Sequence, residues 1–424
     1  MQIKSLKVQK LFGQFDYTID FNSKFTILTA PNGYGKSTIL KIINAFATGN
    51  TFFINKIKFE EIILHFTDGT FFKINQDEKN RTLIYSYQGY SFPKRMSNIE
   101  NEASLVAAIY PFLTRISINQ WRHNQTGEIY ELDQIFERFG QHPALRRQFS
   151  IAPWYEEVRN RLNVSFVSTN RLMSEESGMG IKNFNNTGLS VSLVAEAVKQ
   201  VINEKLIFYF NQSHNLESTF ANRLIGFMEQ KQEESWDSIE EMINIIRKYE
   251  ERYLKLHLIP QNSQNLNLDN KKDQNILNVL SLLLHDTKTK YEYLNDLAKQ
   301  LELFTSSFNR LFEHKKVEIS LEDGFLVKKL IDGSILSLNS LSSGEQHLIV
   351  LLGKLLFATS ENSFVLIDEP EISLHPSWLE KIASIFEEIQ NYKGFSLAIA
   401  THSPILIGDN CDNVIELSEQ VENG

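Results

Sequence analysis

The sequence predicts an α/β fold, a mixed sheet with flanking helices, carrying a large and mainly helical insertion. Three observations predict it. An apolar strand from Phe25 to Thr29 runs into a glycine-rich loop and then a segment of helical spacing; a second apolar strand, Phe364 to Ile367, ends in Asp368-Glu369; and about 330 residues separate the two. That separation exceeds what a compact α/β unit needs, so the insertion must leave the sheet and re-enter it. The expected boundaries are an N-terminal lobe over 1–95, the insertion over 96–318 and a C-terminal lobe over 319–424.

The loop reads Ala30-Pro31-Asn32-Gly33-Tyr34-Gly35-Lys36-Ser37-Thr38 and precedes Ile39-Leu40-Lys41-Ile42-Ile43. Strand, loop and helix in this order are the context a phosphate-binding loop requires. Glycines let backbone N–H groups converge on a phosphate, and the helix N-terminus adds partial positive charge. Lysine reaches the β/γ oxygens, and the Ser37 hydroxyl can coordinate Mg²⁺. Asn32, Gly33, Gly35, Lys36, Ser37 and Thr38 are therefore candidate ATP-binding residues. Ala30 replaces the usual first glycine, which the loop tolerates if its φ stays negative.

Downstream, residues 56–90 alternate polar and apolar positions, as in Ile62-Ile63-Leu64-His65-Phe66, and predict antiparallel strands. From about 97 the pattern turns helical. A short strand from Val164 to Ser168 then precedes Thr169-Asn170-Arg171. Ile239, Met242, Ile243, Ile246, Tyr249 and Tyr253 recur at helical spacing, and Leu294, Leu297, Leu301, Phe304, Phe308 and Leu311 alternate threes and fours. Together they predict a short helical hairpin or coiled coil over about 236–312, with Ser238 and Glu241 as a capping box and the Asn/Gln-rich stretch 261–274 as its connection. Helices packed on the body satisfy the same spacing as a projecting arm.

Leu341-Ser342-Ser343-Gly344-Glu345-Gln346 places small residues ahead of the apolar run Leu348 to Phe357. Read alone it is an N-cap; beside the other two motifs it becomes a second phosphate-binding helix end. The strand at 364–367 delivers Asp368, suited to hold Mg²⁺, and Glu369, suited to orient or deprotonate a water. Another apolar strand, Phe395 to Ala400, ends in Thr401-His402 and brings an imidazole to the same sheet edge.

Over residues 1–50 and 320–415 these motifs resemble ABC-type P-loop ATPases of the SMC, RecF and overcoming-lysogenization-defect kind. The order there is Walker A, signature, Walker B, D-loop and switch histidine. The resemblance implies Walker A roles for Lys36, Ser37 and Thr38, and a signature of Ser342, Ser343, Gly344 and Glu345 that touches the ATP of a second copy. It implies Walker B roles for Asp368 and Glu369, a D-loop at Ser373-Leu374-His375-Pro376, and His402 as the switch histidine, with Glu369 and His402 catalytic. It also suggests a functional place for Arg171. The signature reads LSSGE rather than LSGGQ, and Asp368 to Pro376 is closer to the soluble members than to membrane transporters.

The segment Asn211 to Leu224 is similar to one in ATPases of prokaryotic defence operons, of the PARIS or Septu kind, which partner Toprim-type or HNH nucleases. The chain carries neither nuclease constellation, so the resemblance implies a separate effector nuclease, a phage-encoded trigger and a homodimer or higher homo-oligomer joined by ATP. A RecF- or SMC-like clamp on duplex DNA is the second reading, and a membrane transporter subunit the third.

Composition fits an ordinary globular chain, with 42% hydrophobic residues. A net charge of −9 argues against a wholly basic nucleic-acid binder, leaving local pairs such as Arg146-Arg147 or Lys271-Lys272. No apolar run is long enough to span a membrane, the start shows no signal-peptide core, and Cys411 is the single cysteine. A cytoplasmic protein is the expectation.

Overall fold

The computed structural model describes residues 1–21, 24–96, 99–124, 127, 129–132, 134–135, 152–167, 191–229, 235–260, 274–408 and 411–422. Its elements begin with β1 (Ile3–Leu11), β2 (Phe15–Asp20), β3 (Phe25–Thr29), α1 (Lys36–Thr48), α2 (Thr51–Lys56), β4 (Glu61–Phe66), β5 (Phe71–Asp77), β6 (Thr82–Tyr87) and β7 (Tyr90–Arg95). Next come α3 (Ile99–Ile109), β8 (Leu113–Arg115), β9 (Gln120–His123), β10 (Ile129–Glu131), α4 (Pro153–Asn160) and β11 (Val164–Val167). Then follow α5 (Val191–Glu229), α6 (Trp236–Lys255), α7 (Gln274–Leu311), β12 (Lys315–Ser320), β13 (Gly324–Lys329), β14 (Ile335–Leu336) and α8 (Ser343–Gly353). The chain closes with β15 (Phe364–Asp368), α9 (Pro376–Lys393), β16 (Ser396–Ala400), α10 (Pro404–Ile407), β17 (Val414–Glu416) and α11 (Leu417–Glu422).

Two compact units emerge, one of residues 1–190, 343–351 and 358–424, the other of 191–342 and 352–357. In the first, a five-stranded sheet runs β11-β15-β16-β3-β17, parallel throughout. β3 and β15 are buried at every residue, as strands covered on both faces require, and their sequences are accordingly unbroken apolar runs apart from Thr26, Thr29 and Asp368. A six-stranded sheet of order β2-β1-β4-β5-β6-β7 is antiparallel. There alternation puts Ile62, Leu64 and Phe66 in the core. Helix α1 turns Ile39, Leu40, Ile42, Ile43 and Phe46 into that core, and Phe46 meets Phe72 at 4.4 Å between ring centroids.

The second unit holds α5, α6, α7 and the β12-β13-β14 sheet. Helix α7 packs against both α5 and α6. Its predicted apolar stripe, Leu294 to Leu311, is buried throughout, and Phe304 contacts Phe325 of β13 and Phe357, with centroids 5.3 and 5.2 Å away. The stripe therefore packs on its own sheet as well as on helices. After α8 the helix widens into a π turn, Lys354–Ala358, and the buried Gln300 amide donates to the Leu356 carbonyl at 2.6 Å. Arg252 of α6 holds Glu302 of α7 through two bonds of 2.6 Å, and Arg223 of α5 pairs with the buried Asp286 of α7 at 2.5 Å.

These units shift the expected boundaries. The described residues between 99 and 167 group with the first unit, because Phe52 shares a core with Tyr110, Trp121 and Tyr130, and the Tyr155 hydroxyl donates to the Phe46 carbonyl at 2.8 Å. Residues 319–342 group with the helices through Phe325. The small β8-β9-β10 sheet lies where helix was expected: its strands are three to four residues long, too short to display an alternation. The cap of α6 is Ser235, whose side chain accepts from the Ser238 N–H at 3.2 Å, so the Ser238–Glu241 capping box is not the helix start. Arg171, the pairs Arg146-Arg147 and Lys271-Lys272, and the stretch 261–273 lie outside the described residues.

Candidate functional site

Parallel register aligns four strand ends. Asp368 lies opposite Ala400, Ala400 opposite Leu28, and Glu416 opposite Thr29. The residues that leave these ends, the loop after Thr29, Glu369 and Thr401-His402, therefore emerge side by side at the carboxyl edge of the sheet, where ligands of such sheets bind.

The loop reaches α1 through Gly33 and Gly35, at φ 91° and 89°. A side chain at Gly35 would place Cβ 3.1 Å from Leu11 Cδ2 in addition to the strain of that φ. Ala30 is not among the positive-φ residues, as its substitution for glycine requires. Its carbonyl accepts from Lys36 Nζ at 2.8 Å, and Pro31 O lies 3.4 Å from the same ammonium. Asn32 is exposed, while Ser37 and Thr38 are half-buried in the first turn of α1.

Around Lys36 the site closes tightly. Its ammonium is 2.7 Å from His402 Nε2, so the imidazole accepts through that nitrogen. Glu369 Oε1 is 4.0 Å from the same Nε2. Ser37 Oγ donates to Asp368 Oδ1 at 2.8 Å, and Asp368 is only 3% exposed. Burial pushes the Lys36 ammonium below the ordinary lysine pKa, against the upward pull of Glu369, Asp368, Glu416 and Glu371. Glu369 adopts φ 45° while its N–H donates to the Ala400 carbonyl at 2.8 Å. A non-glycine residue held there is the kind of strain that functional sites accumulate.

Lys36, Ser37, Asp368, Glu369 and His402, distant in the chain, thus form one cluster. The signature forms a second locus. Ser343, Gly344 and Glu345 open α8, whereas Ser342 belongs to the other compact unit. Gly344 backs onto the turn at Ser373, where a Cβ would come within 2.4 Å of the Ser373 carbonyl oxygen. Ser373 itself has φ 66°, and His375 caps α9 by accepting from the Ser377 N–H at 3.3 Å.

Two carboxylates of this edge carried no role in the sequence reading. Glu416 accepts from the Thr29 hydroxyl at 2.5 Å. Glu371 accepts from both the Thr401 hydroxyl, 2.7 Å, and the His402 N–H, 2.8 Å. Glu371 stands inside a motif that was legible; Glu416 sits in the C-terminal tail, where no motif marks it. Among the described residues no group of three or more His, Cys, Asp or Glu forms a metal site. A hard cation with few protein ligands and many from phosphate and water fits Ser37 and Asp368, whose hydroxyl and carboxylate already converge.

Comparison with known proteins gives one family match, described as AAA ATPase domain, over residues 1–407. The chain is 22% identical to a retron Vc95 probable ATPase from Vibrio cholerae over 442 aligned positions, covering 99% of this chain and 73% of the relative. It is 30% identical over 90 residues, 21% of the chain, to protein ea59 of Escherichia phage lambda, spanning only 17% of that protein's length. Among solved structures it is similar to the SMC head domain with an extended coiled coil, bound to the C-terminal domain of ScpA, derived from Pyrococcus furiosus. There the identity is 14%, the coverage 98% of this chain and 93% of that one, and the TM-score 0.38. For the SMC head domain from Thermotoga maritima the values are 10%, 96% and 91%, and 0.34.

Proposed function

The chain belongs to the AAA ATPase domain family, and from that premise we propose that it binds and hydrolyses ATP at sites completed between two copies, and that this ATPase acts as sensor and scaffold for a separate effector nuclease in anti-phage defence. One observation carries the hydrolytic part: Lys36, Ser37, Asp368, Glu369 and His402 converge at one sheet edge.

In this reading the loop from Asn32 to Thr38 cradles the phosphates, and Lys36 neutralises β/γ oxygens. Ser37 and Asp368 hold Mg²⁺, which when bound would neutralise charge building on the phosphate oxygens. Glu369 orients a water and takes its proton as the water oxygen bonds to the γ-phosphorus and the bond to ADP breaks. His402 contacts the γ-phosphate side of the site. Ser342, Ser343, Gly344 and Glu345 of a second copy present the α8 N-terminus to the same phosphate, so ATP joins the copies and hydrolysis loosens the joint.

Support for the defence role comes from the segment Asn211 to Leu224, similar to that of defence-operon ATPases, and from the relative named as a retron ATPase, which aligns with 99% of the chain. The Toprim-type or HNH identity of the effector follows from the resemblance alone. Mass photometry of Glu369→Gln protein with Mg·ATP, expressed alone and with the adjacent open reading frame, tests the proposal. A higher-order assembly that retains the neighbour's product is the expected result. A bare dimer that gains DNA affinity overturns it in favour of a clamp on duplex DNA.

A further inference from the structure

We propose that Glu371 is the positioning residue that holds His402 against the γ-phosphate side of the ATP site, an inference that rests on the hydrolytic part of the proposed function. His402 leaves the end of β16 on a turn with no regular hydrogen bonding of its own. The Glu371 side chain supplies what the turn lacks: one oxygen, Oε1, accepts from the His402 backbone N–H at 2.8 Å and from Thr401 Oγ1 at 2.7 Å. Thr401 Oγ1 in turn accepts from the Ser403 N–H at 3.0 Å, so one carboxylate oxygen orders three successive residues.

Both ends of this clamp are fixed to the sheet. Thr401 is fully buried, and its N–H donates to Leu28 O at 3.1 Å. On the other side the Glu369 N–H is anchored to Ala400 O, and the turn after Glu369 is closed by Ile372 N–H to Glu369 O at 3.2 Å and Leu374 N–H to Glu371 O at 3.0 Å. Glu369 and His402 thus hang from two turns that Glu371 ties together, and the imidazole ends 2.7 Å from Lys36 Nζ and 4.0 Å from Glu369 Oε1. Displacing the catalytic imidazole by about 1 Å is enough to cost roughly a hundredfold in rate.

The second oxygen takes no part in these bonds. Glu371 Oε2 is buried and has no hydrogen-bond partner among the described residues. Glutamine keeps an Oε1 that can accept both bonds, while its NH₂ takes the place of an oxygen that has no partner among the described residues, at a cost to stability rather than to the clamp. A clamp needs only that acceptor, whereas a base or metal ligand needs the charge.

The test compares Glu371→Gln, Glu371→Ala and Thr401→Val in the full chain, reading kcat, KM and Kd for ATP, with ¹⁵N-histidine spectra of the His402 ring assigned through His402→Asn. Expected are a kcat within about threefold of wild type for Glu371→Gln, and a fall of roughly a hundredfold for Glu371→Ala with ATP affinity nearly kept. Thr401→Val, which removes one of the two donors, should fall between them. The His402 ring signals should move in Glu371→Ala and stay in Glu371→Gln. Equal inactivity of Gln and Ala variants, or unmoved His402 signals in Glu371→Ala, overturns the proposal. If the wild type turns over no ATP, the ATPase reading fails by itself, and the histidine spectra still decide the clamp; Thr401→Val carries both readouts if Glu371→Ala does not fold.

Discussion

At the scale of single residues, the cluster at the sheet edge makes charge and proton position the measurable quantities. Glu369 combines a positive φ with a carboxylate 4.0 Å from His402. Glu369→Gln should therefore bind ATP with near wild-type affinity yet lose turnover by about 10²–10⁴-fold, the range for a general base; wild-type turnover in the purified variant rejects the assignment. Lys36 supplies a pH prediction. Burial lowers its pKa, so the ammonium loses its proton at a lower pH than an exposed lysine, and only the charged form pairs with phosphate. ATP affinity should fall as pH rises through that lowered pKa, and binding should take up a proton there, which calorimetry in buffers of different ionisation enthalpy detects. An affinity unchanged up to about pH 10 rejects it. Ala30 was readable as a tolerated substitution, since only a negative φ was required. Glu371 was not, because its acceptor role depends on Thr401, 30 positions away.

Among the elements, the three helices of the second unit are joined by polar ties as well as by apolar stripes. Asp286 on α7 is buried, and both its oxygens take Arg223 of α5, at 2.6 and 2.5 Å. Asp286→Ala leaves that guanidinium without its partner but still partly exposed, so a loss of about 2 kcal/mol is expected, below that for a fully buried pair. Chemical denaturation of the full chain, with Arg223→Leu/Asp286→Leu as the paired control, measures it; a double variant no more stable than Asp286→Ala removes the argument from an unpaired charge. Periodicity alone revealed α6 and the C-terminal half of α7. It did not reveal β8, β9 and β10, whose three- or four-residue strands are defined by their pairing with one another. Nor did it place the α6 start: the Ser238–Glu241 spacing points to one hydroxyl, and the backbone shows that Ser235, three residues earlier, is the one that accepts.

At the level of the whole molecule, the signature becomes a test of assembly. Ser342→Arg sets a long cation into the surface that the proposed assembly turns to a second copy; turnover should fall at least tenfold while ATP binding by each copy is kept. Turnover that is independent of protein concentration and indifferent to Ser342→Arg means that each copy hydrolyses alone. The sequence by itself determined the α/β class and marked the glycine-rich loop, the carboxylate pair and the histidine as candidates, because each rests on a local pattern: an apolar strand, a glycine at positive φ, a polar residue at a strand end. Only the tertiary structure decided the register that sets Lys36, Ser37, Asp368 and His402 within hydrogen-bonding distance across that edge, that Glu371 and Glu416 join them, and that 319–342 pack with the helices. Parallel register and side-chain contact link residues hundreds of positions apart, and no local pattern encodes which distant partner a strand or carboxylate will meet.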